Sequence, residues 1–398
     1  MIIMNIKNKP HKAALCFNLF LYLAMGGLSG FLAVRHIKTS VRGSTSLGEY
    51  MLIPCLVILF FYITFILQLI IHEAGHLLFG LLTGYHFLSF RIGSLMWIRK
   101  DGRIHLRKMS LAGTGGQCLM CPPGTLGRTE KIPYVLYNLG GSILNAVSAL
   151  IFLGLYFLSD RIPYLPAFFL LMGITGIGLA LMNGIPMRGT VNNDGHNALS
   201  LGRSPAALHS YWLQMKINEQ MSKGIRLKDM PEEWFRFPSE EEMQNSMAAT
   251  IAVFCTNRLM DEHRFKEAAN LIDQLLSMDT AIISIHRRLL ICDRLYCELI
   301  GDNKGTMIYK FLTAEQVRFM KQMRNFPAVI RTGYACTLLY EKDAKKAEWY
   351  KNQFESKCAL TNPYESDIAS EWELMKTAFD VFQDKRDTSE NHNQEVSE

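Results

Sequence analysis

The sequence predicts a mostly α-helical protein. It should have a polytopic membrane core of about four transmembrane helices with a small β-hairpin insertion, followed by an α-helical soluble domain. Three observations carry this. Four long apolar stretches without a charge lie in the first half. An Asp-Gly turn signal between strand-like runs interrupts them. After about Leu201 charges become frequent and apolar residues fall at helical spacing. The totals fit two unlike halves: 49% of the 398 residues are hydrophobic and 20% charged, and the mean hydropathy of +0.08 is low for a membrane protein and high for a soluble one.

The apolar stretches are Ala13–Val34, Met51–Ile71, Ile132–Leu158 and Ile162–Met187, and each reaches the ~20 residues a spanning helix needs. The first is longer than a signal-peptide core and ends in no small-x-small cleavage site, so it reads as a retained helix. Lys7, Lys9 and Lys12 precede it. The connection between the second and third stretches carries Arg91, Arg99, Lys100, Arg103, Arg107, Lys108, Arg128 and Lys131, whereas the other two hold Arg35, Lys38 and Arg42, then Arg161 alone. By the positive-inside rule the N-terminus, the long connection and everything after the fourth helix are expected at the cytoplasmic side of a cell membrane.

Within the long connection, Leu95–Arg99 and Arg103–Met109 flank Lys100-Asp101-Gly102, which predicts a β-hairpin. Gly113-Thr114-Gly115-Gly116 and Pro122-Pro123-Gly124 predict an irregular loop after it. The nine cysteines are odd in number and irregularly spaced, which argues against a disulfide framework. Cys118-Leu-Met-Cys121 has no second pair at zinc-finger spacing and reads as an ordinary loop pair. The net charge of +6 comes with no basic stripe interleaved with aromatics, so no nucleic-acid partner is expected.

The expected domains are a membrane-embedded part over 1–202, an α-helical cytoplasmic part over 203–384 and a disordered polar tail over 385–398. In the second, His263–Leu276 places Phe265, Ala268, Ala269, Ile272 and Leu276 on one helical face, and Gly333–Leu339 followed by Asp343–Phe354 has a similar two-helix texture. Both resemble tetratricopeptide hairpins, without a clean 34-residue period. Such a domain could receive a protein partner.

The chemistry concentrates in His72-Glu73-Ala74-Gly75-His76, which continues directly out of the second apolar stretch. Residues four apart on a helix lie about 40° apart around its axis, so both imidazoles can reach one ion. Glu73 can then act as a base on water activated by that ion. Ionisable groups beside hydrocarbon are costly and are functional by default. A catalytic zinc site takes three protein ligands and leaves a fourth position open. The fourth stretch ends in Asn183-Gly184-Ile185-Pro186 and leads to Asn192-Asn193-Asp194-Gly195-His196. Two crossings separate the two motifs, so both fall on one side of the membrane. Asp194 is the expected third ligand, His196 its rival, and Asp194-Gly195 by itself would read as a turn.

His72–His76, Gly141-Ser142-Ile143-Leu144-Asn145 in the third stretch and Asn183-x-x-Pro186 leading to Asp194-Gly195 together resemble the site-2 protease family of intramembrane zinc metalloproteases, over roughly Met51 to Gly202. The resemblance implies that His72, His76 and Asp194 bind Zn2+, that Glu73 is the catalytic base, and that Asn145 and Asn183 orient the substrate backbone or line the site. The sequence departs from the family at Asn193, where an apolar residue is common, and in a longer run from Pro186 to Asp194. The expected activity is hydrolysis of a peptide bond in a membrane-inserted or membrane-associated peptide or protein near the cytoplasmic face, with the lipid bilayer as surroundings. The predicted hairpin would add a strand to the unwound substrate. The alternative is a catalytically silent membrane scaffold or immunity protein that binds a peptide without cutting it.

Overall fold

The structure is a computed structural model, and it describes residues 12–40, 47–100, 102–108, 115–124, 132–159, 162, 164–189, 192–303 and 305–395. Lys7, Lys9, Arg42, Asp101, Gly113, Thr114, Arg128, Lys131 and Arg161 lie outside these residues, as do 396–398. The chain divides into two compact units, one of residues 9–93 and 113–208, the other of residues 1–8, 94–112 and 209–398.

In the first unit, helices α1 (Lys12–Ser40), α2 (Leu47–Leu82), α3 (Tyr134–Leu158) and α4 (Leu165–Gly184) are the expected apolar stretches. Among the described residues, four segments are long and apolar enough to cross a membrane: Cys16–Arg35, Ile53–Leu82, Tyr134–Leu158 and Leu165–Gly184. Their outward faces carry exposed Ile58, Leu59, Tyr62, Leu67, Leu150 and Phe157, the pattern of helices whose solvent is lipid. The inward face of α2 is polar. Thr64, Gln68, His72 and His76 succeed one another at four-residue steps and are all buried.

Small residues let α2 and α3 touch backbone to backbone. A Cβ on Gly75 would stand 2.2 Å from the Gly140 carbonyl oxygen, and one on Gly140 would stand 2.5 Å from that of Gly75. Neither can be accommodated, so this crossing needs glycine on both helices, as close-packed membrane helices often do.

The long connection holds more β-structure than expected. Strands β1 (His86–Ile92), β2 (Leu95–Lys100), β3 (Arg103–Lys108) and β4 (Gly116–Cys121) form a small antiparallel sheet. The predicted hairpin is β2–β3, in register from Leu95↔Lys108 to Lys100↔Arg103, with Gly102 at φ +75°. In the second pair, β1 with β4 from His86↔Cys121 to Ile92↔Gly116, β4 occupies ground assigned to loop. Cys118 and Cys121 therefore sit on a strand, three residues apart and on opposite faces, both buried and neither in a disulfide.

The connection to the second unit runs through the short α5 (Asp194–Ser200) and α6 (Pro205–Ser222). The second unit continues with α7 (Ser246–Asp261), α8 (Phe265–Ser277), α9 (Ser284–Ile300), α10 (Gly305–Phe311), α11 (Ala314–Gln322), α12 (Pro327–Leu339), α13 (Ala344–Gln353), α14 (Ala359–Thr361) and α15 (Glu365–Glu395). Its core gathers Met260, Ala268, Leu295, Tyr296, Ile330, Tyr334, Ala347, Phe354 and Leu374. The α8 face is the one expected, with Ala268 and Ile272 buried and Phe265, Ala269 and Leu276 packed against the core. Gly333 of α12 accepts the ring of Tyr350 from α13, since a Cβ there would lie 2.5 Å from it. Hairpin β2–β3 belongs to this unit, where Lys100 pairs with Glu365 at 2.5 Å. Helix α15 runs through Lys385 to Glu395, into the polar tail expected to be disordered. Extending an anchored helix avoids the cost of nucleating one, so even a polar sequence can continue it.

Candidate metal centre

Three ligand atoms converge at the inner face of α2. The Nε2 atoms of His72 and His76 are 3.2 Å apart. Asp194 Oδ2 lies 3.2 Å from the first and 3.4 Å from the second. Ligands sharing one zinc at ~2.0–2.2 Å lie roughly 3–4 Å apart, so the spacing suits a common ion. His72, His76 and Asp194 form a group that could hold a metal.

Both imidazoles are held for this by their other nitrogen. His76 Nδ1 donates to the Tyr137 carbonyl at 2.8 Å, and His72 Nδ1 donates to Asn145 Oδ1 at 2.8 Å. A ring that donates from Nδ1 presents the lone pair of Nε2, the atom turned to the cluster. Space is made for the His72 ring by Gly141, whose Cβ would stand 2.5 Å from it.

Asp194 reaches the site because a turn has become a helix start. Asn193 caps α5 by accepting the His196 N–H at 3.0 Å. Its Oδ1 also accepts the Met187 N–H at 2.9 Å, and its amide donates to the Met182 and Ile185 carbonyls at 2.8 and 2.6 Å. Gly195 then lies against the end of α4, where a Cβ would be 2.1 Å from the Gly184 carbonyl oxygen. Asp194 Oδ2 is the atom turned to both imidazole Nε2 atoms, and a carboxyl serves as a metal ligand in its ionised form. His196 stands outside the cluster; burial and the charges of Arg188 and Arg203 lower its pKa.

Glu73 is buried beside the ligands, and its carboxylate faces the start of β4, where a Cβ on Gly116 would come within 2.5 Å of Oε1. The strand against this glutamate is thus β4, whereas the sequence assigned strand addition to the β2–β3 run. Asn145 is fully buried, with its oxygen on His72 and its amide donating to the Gln68 carbonyl and Gln68 Oε1, both at 2.8 Å. Asn183 donates to Leu179 of its own helix at 3.1 Å and does not join the ligand group.

Sequence reasoning passed over Gln68 and Arg91. Gln68 was visible as a polar residue in an otherwise apolar span, four positions before His72. Arg91 had been counted only as a cytoplasmic-side charge. Its side chain is buried, donates to the Gly93 carbonyl at 2.7 Å and the Gly116 carbonyl at 3.3 Å, and lies within electrostatic reach of Glu73. The chain matches no family model, no curated protein and no solved structure with which it was compared.

Proposed function

We propose that the protein is an intramembrane zinc metalloendopeptidase that cuts a membrane-inserted or membrane-associated peptide near its cytoplasmic end. The observation that carries this reading is the convergence of His72, His76 and Asp194, the last 122 positions from the first, beside a buried glutamate on a helix able to cross a membrane. The resemblance to site-2 proteases points the same way. A zinc ion, when bound, supplies a Lewis acid that polarises a peptide carbonyl and makes water more acidic. His72, His76 and Asp194 would hold it, which leaves one position of a tetrahedral set open. Glu73 takes a proton from the attacking water and delivers it to the leaving amine. A peptide bond inside a helix is shielded, so the substrate must be unwound to react. An extended segment added along the outer edge of β4 would bring its backbone beside Glu73. The charge bias of the connections puts the termini, and with them the helical unit, in the cytoplasm.

The test is Glu73→Gln in purified full-length protein, with zinc content and peptide cleavage measured on the same sample. The variant should hold as much zinc as the parent and cleave at least ~100-fold more slowly, the scale of a lost general base. Wild-type protein that binds no zinc, or a variant that cleaves at the wild-type rate, would overturn the proposal. Zinc binding with no cleavage by either protein would favour a peptide-binding scaffold.

A further inference from the structure

We propose that Gln68 is a positioning residue of the metal centre, the anchor of a one-way hydrogen-bond relay that sets which nitrogen His72 offers to the ion. The proposal rests on the metal-site reading above. Gln68 is fully buried, one turn before His72 on the same face of α2. Its Nε2 donates to the Met172 carbonyl of α4 at 2.9 Å. A carbonyl can only accept, so the Gln68 amide has one orientation and its Oε1 must face α3. There it accepts from Asn145 Nδ2 at 2.8 Å and from Ser148 Oγ at 3.0 Å.

Asn145 is oriented in turn. Its Nδ2 also donates to the Gln68 backbone carbonyl at 2.8 Å, again an obligatory acceptor, which leaves Oδ1 toward His72. His72 must then carry its proton on Nδ1 and present a bare Nε2 to the cluster. The direction of every donor is set from the two carbonyl ends, Met172 and Gln68. Turning the Gln68 amide over would set its two hydrogens against the hydrogens of Asn145. The fold makes room for this side chain: a Cβ on Gly176 would stand 2.8 Å from Gln68 Nε2.

The test compares Gln68→Leu, Asn145→Leu and the double variant in the full-length protein, using zinc alone in competition with a chromophoric chelator. Each single variant should bind zinc about 10–100-fold more weakly, as loss of outer-shell support does. The double variant should be no weaker than the worse single, because both break one relay. Thr64→Val, an equally buried change in α2 whose hydroxyl donates to the Phe61 carbonyl of its own helix, should leave zinc affinity within a few-fold. Should Gln68→Leu fail to fold, Gln68→Met keeps the length and carries the same expectation. Nitrogen NMR of the metal-free protein at alkaline pH supplies a second readout. His72 should be the Nδ1–H tautomer in the parent and gain Nε2–H in the Asn145 variant, which removes the acceptor at Nδ1. Wild-type zinc affinity together with an unchanged tautomer would overturn the relay while leaving the protease reading intact. A parent that binds no zinc would overturn both.

Discussion

The position of Asp194 is decided by the side chain before it. An apolar residue at 193 could cap nothing. Asn193 joins the end of α4, the following loop and the first turn of α5 through four hydrogen bonds, each contributing on the order of 1 kcal/mol. That accounts for the departure at Asn193 and for how the chain manages its longer run from Pro186. His72, Glu73 and His76 were legible because their relation is local, a matter of helical spacing. The roles of Asn193, Gln68 and Arg91 were not, since each is defined by partners distant in the sequence. Asp367 on α15 is another such residue. It has no hydrogen-bond or ion-pair partner among the described residues, and burial, then the charges of Glu371 and Asp261, raise its pKa to about 7. The folded unit thus keeps a proton that an unfolded chain releases near pH ~4. Stability present at pH 5 should be lost as pH rises through 7. The thermal midpoint of the helical unit should fall between pH 5 and 8, and Asp367→Asn should flatten that fall. Equal slopes in the two proteins would show that another group governs it.

Among elements, the α2–α3 crossing does the most for the site. Gly75 and Gly140 bring the helices close enough for Tyr137 and Asn145 of α3 to reach the Nδ1 atoms of His76 and His72. Gly75→Ala should separate the helices by the width of a methyl group and lower stability by ~1–3 kcal/mol, the usual cost of overpacking. It should also weaken zinc binding, although Gly75 touches no ion. Unchanged metal affinity in a destabilised variant would show that the crossing and the site are independent. The four long apolar helices were readable from length and charge alone, and β2–β3 from its Asp-Gly turn. Strands β1 and β4 were not, because their pairing joins His86 to Cys121 across the whole hairpin, and glycine and cysteine at the ends of β4 carry little strand signal. The continuation of α15 past Lys385 was missed for a related reason: its composition says disorder, and the anchoring residues lie earlier in the helix.

For the whole molecule, the sequence change near Leu201 announced two parts, and the compact units divide close by, at Leu208 and His209. The placing of β2–β3 with the helical unit was not foreseeable, since nothing in the hairpin sequence names its neighbours. With four crossings, reporters fused at about Thr39 and at the C-terminus should lie on opposite sides of the membrane. Reporters on the same side would mean an odd number of crossings between them is wrong, and the shared-face placement of His72 and Asp194 would need another explanation.

Because its ligands are drawn from α2 and α5, an ion shared by His72, His76 and Asp194 is also a removable cross-link. Thermodynamic linkage then gives it a share in folding: at a free-ion concentration a hundred times its dissociation constant, binding adds ~2.7 kcal/mol to the folded state. A chelator should therefore lower the melting temperature of the parent and of the Glu73→Gln variant alike. It should leave Asp194→Asn, already deprived of the link, nearly unmoved, while His196→Ala should respond as the parent does. Melting with and without chelator would in this way identify the ligands of the ion before any substrate is known.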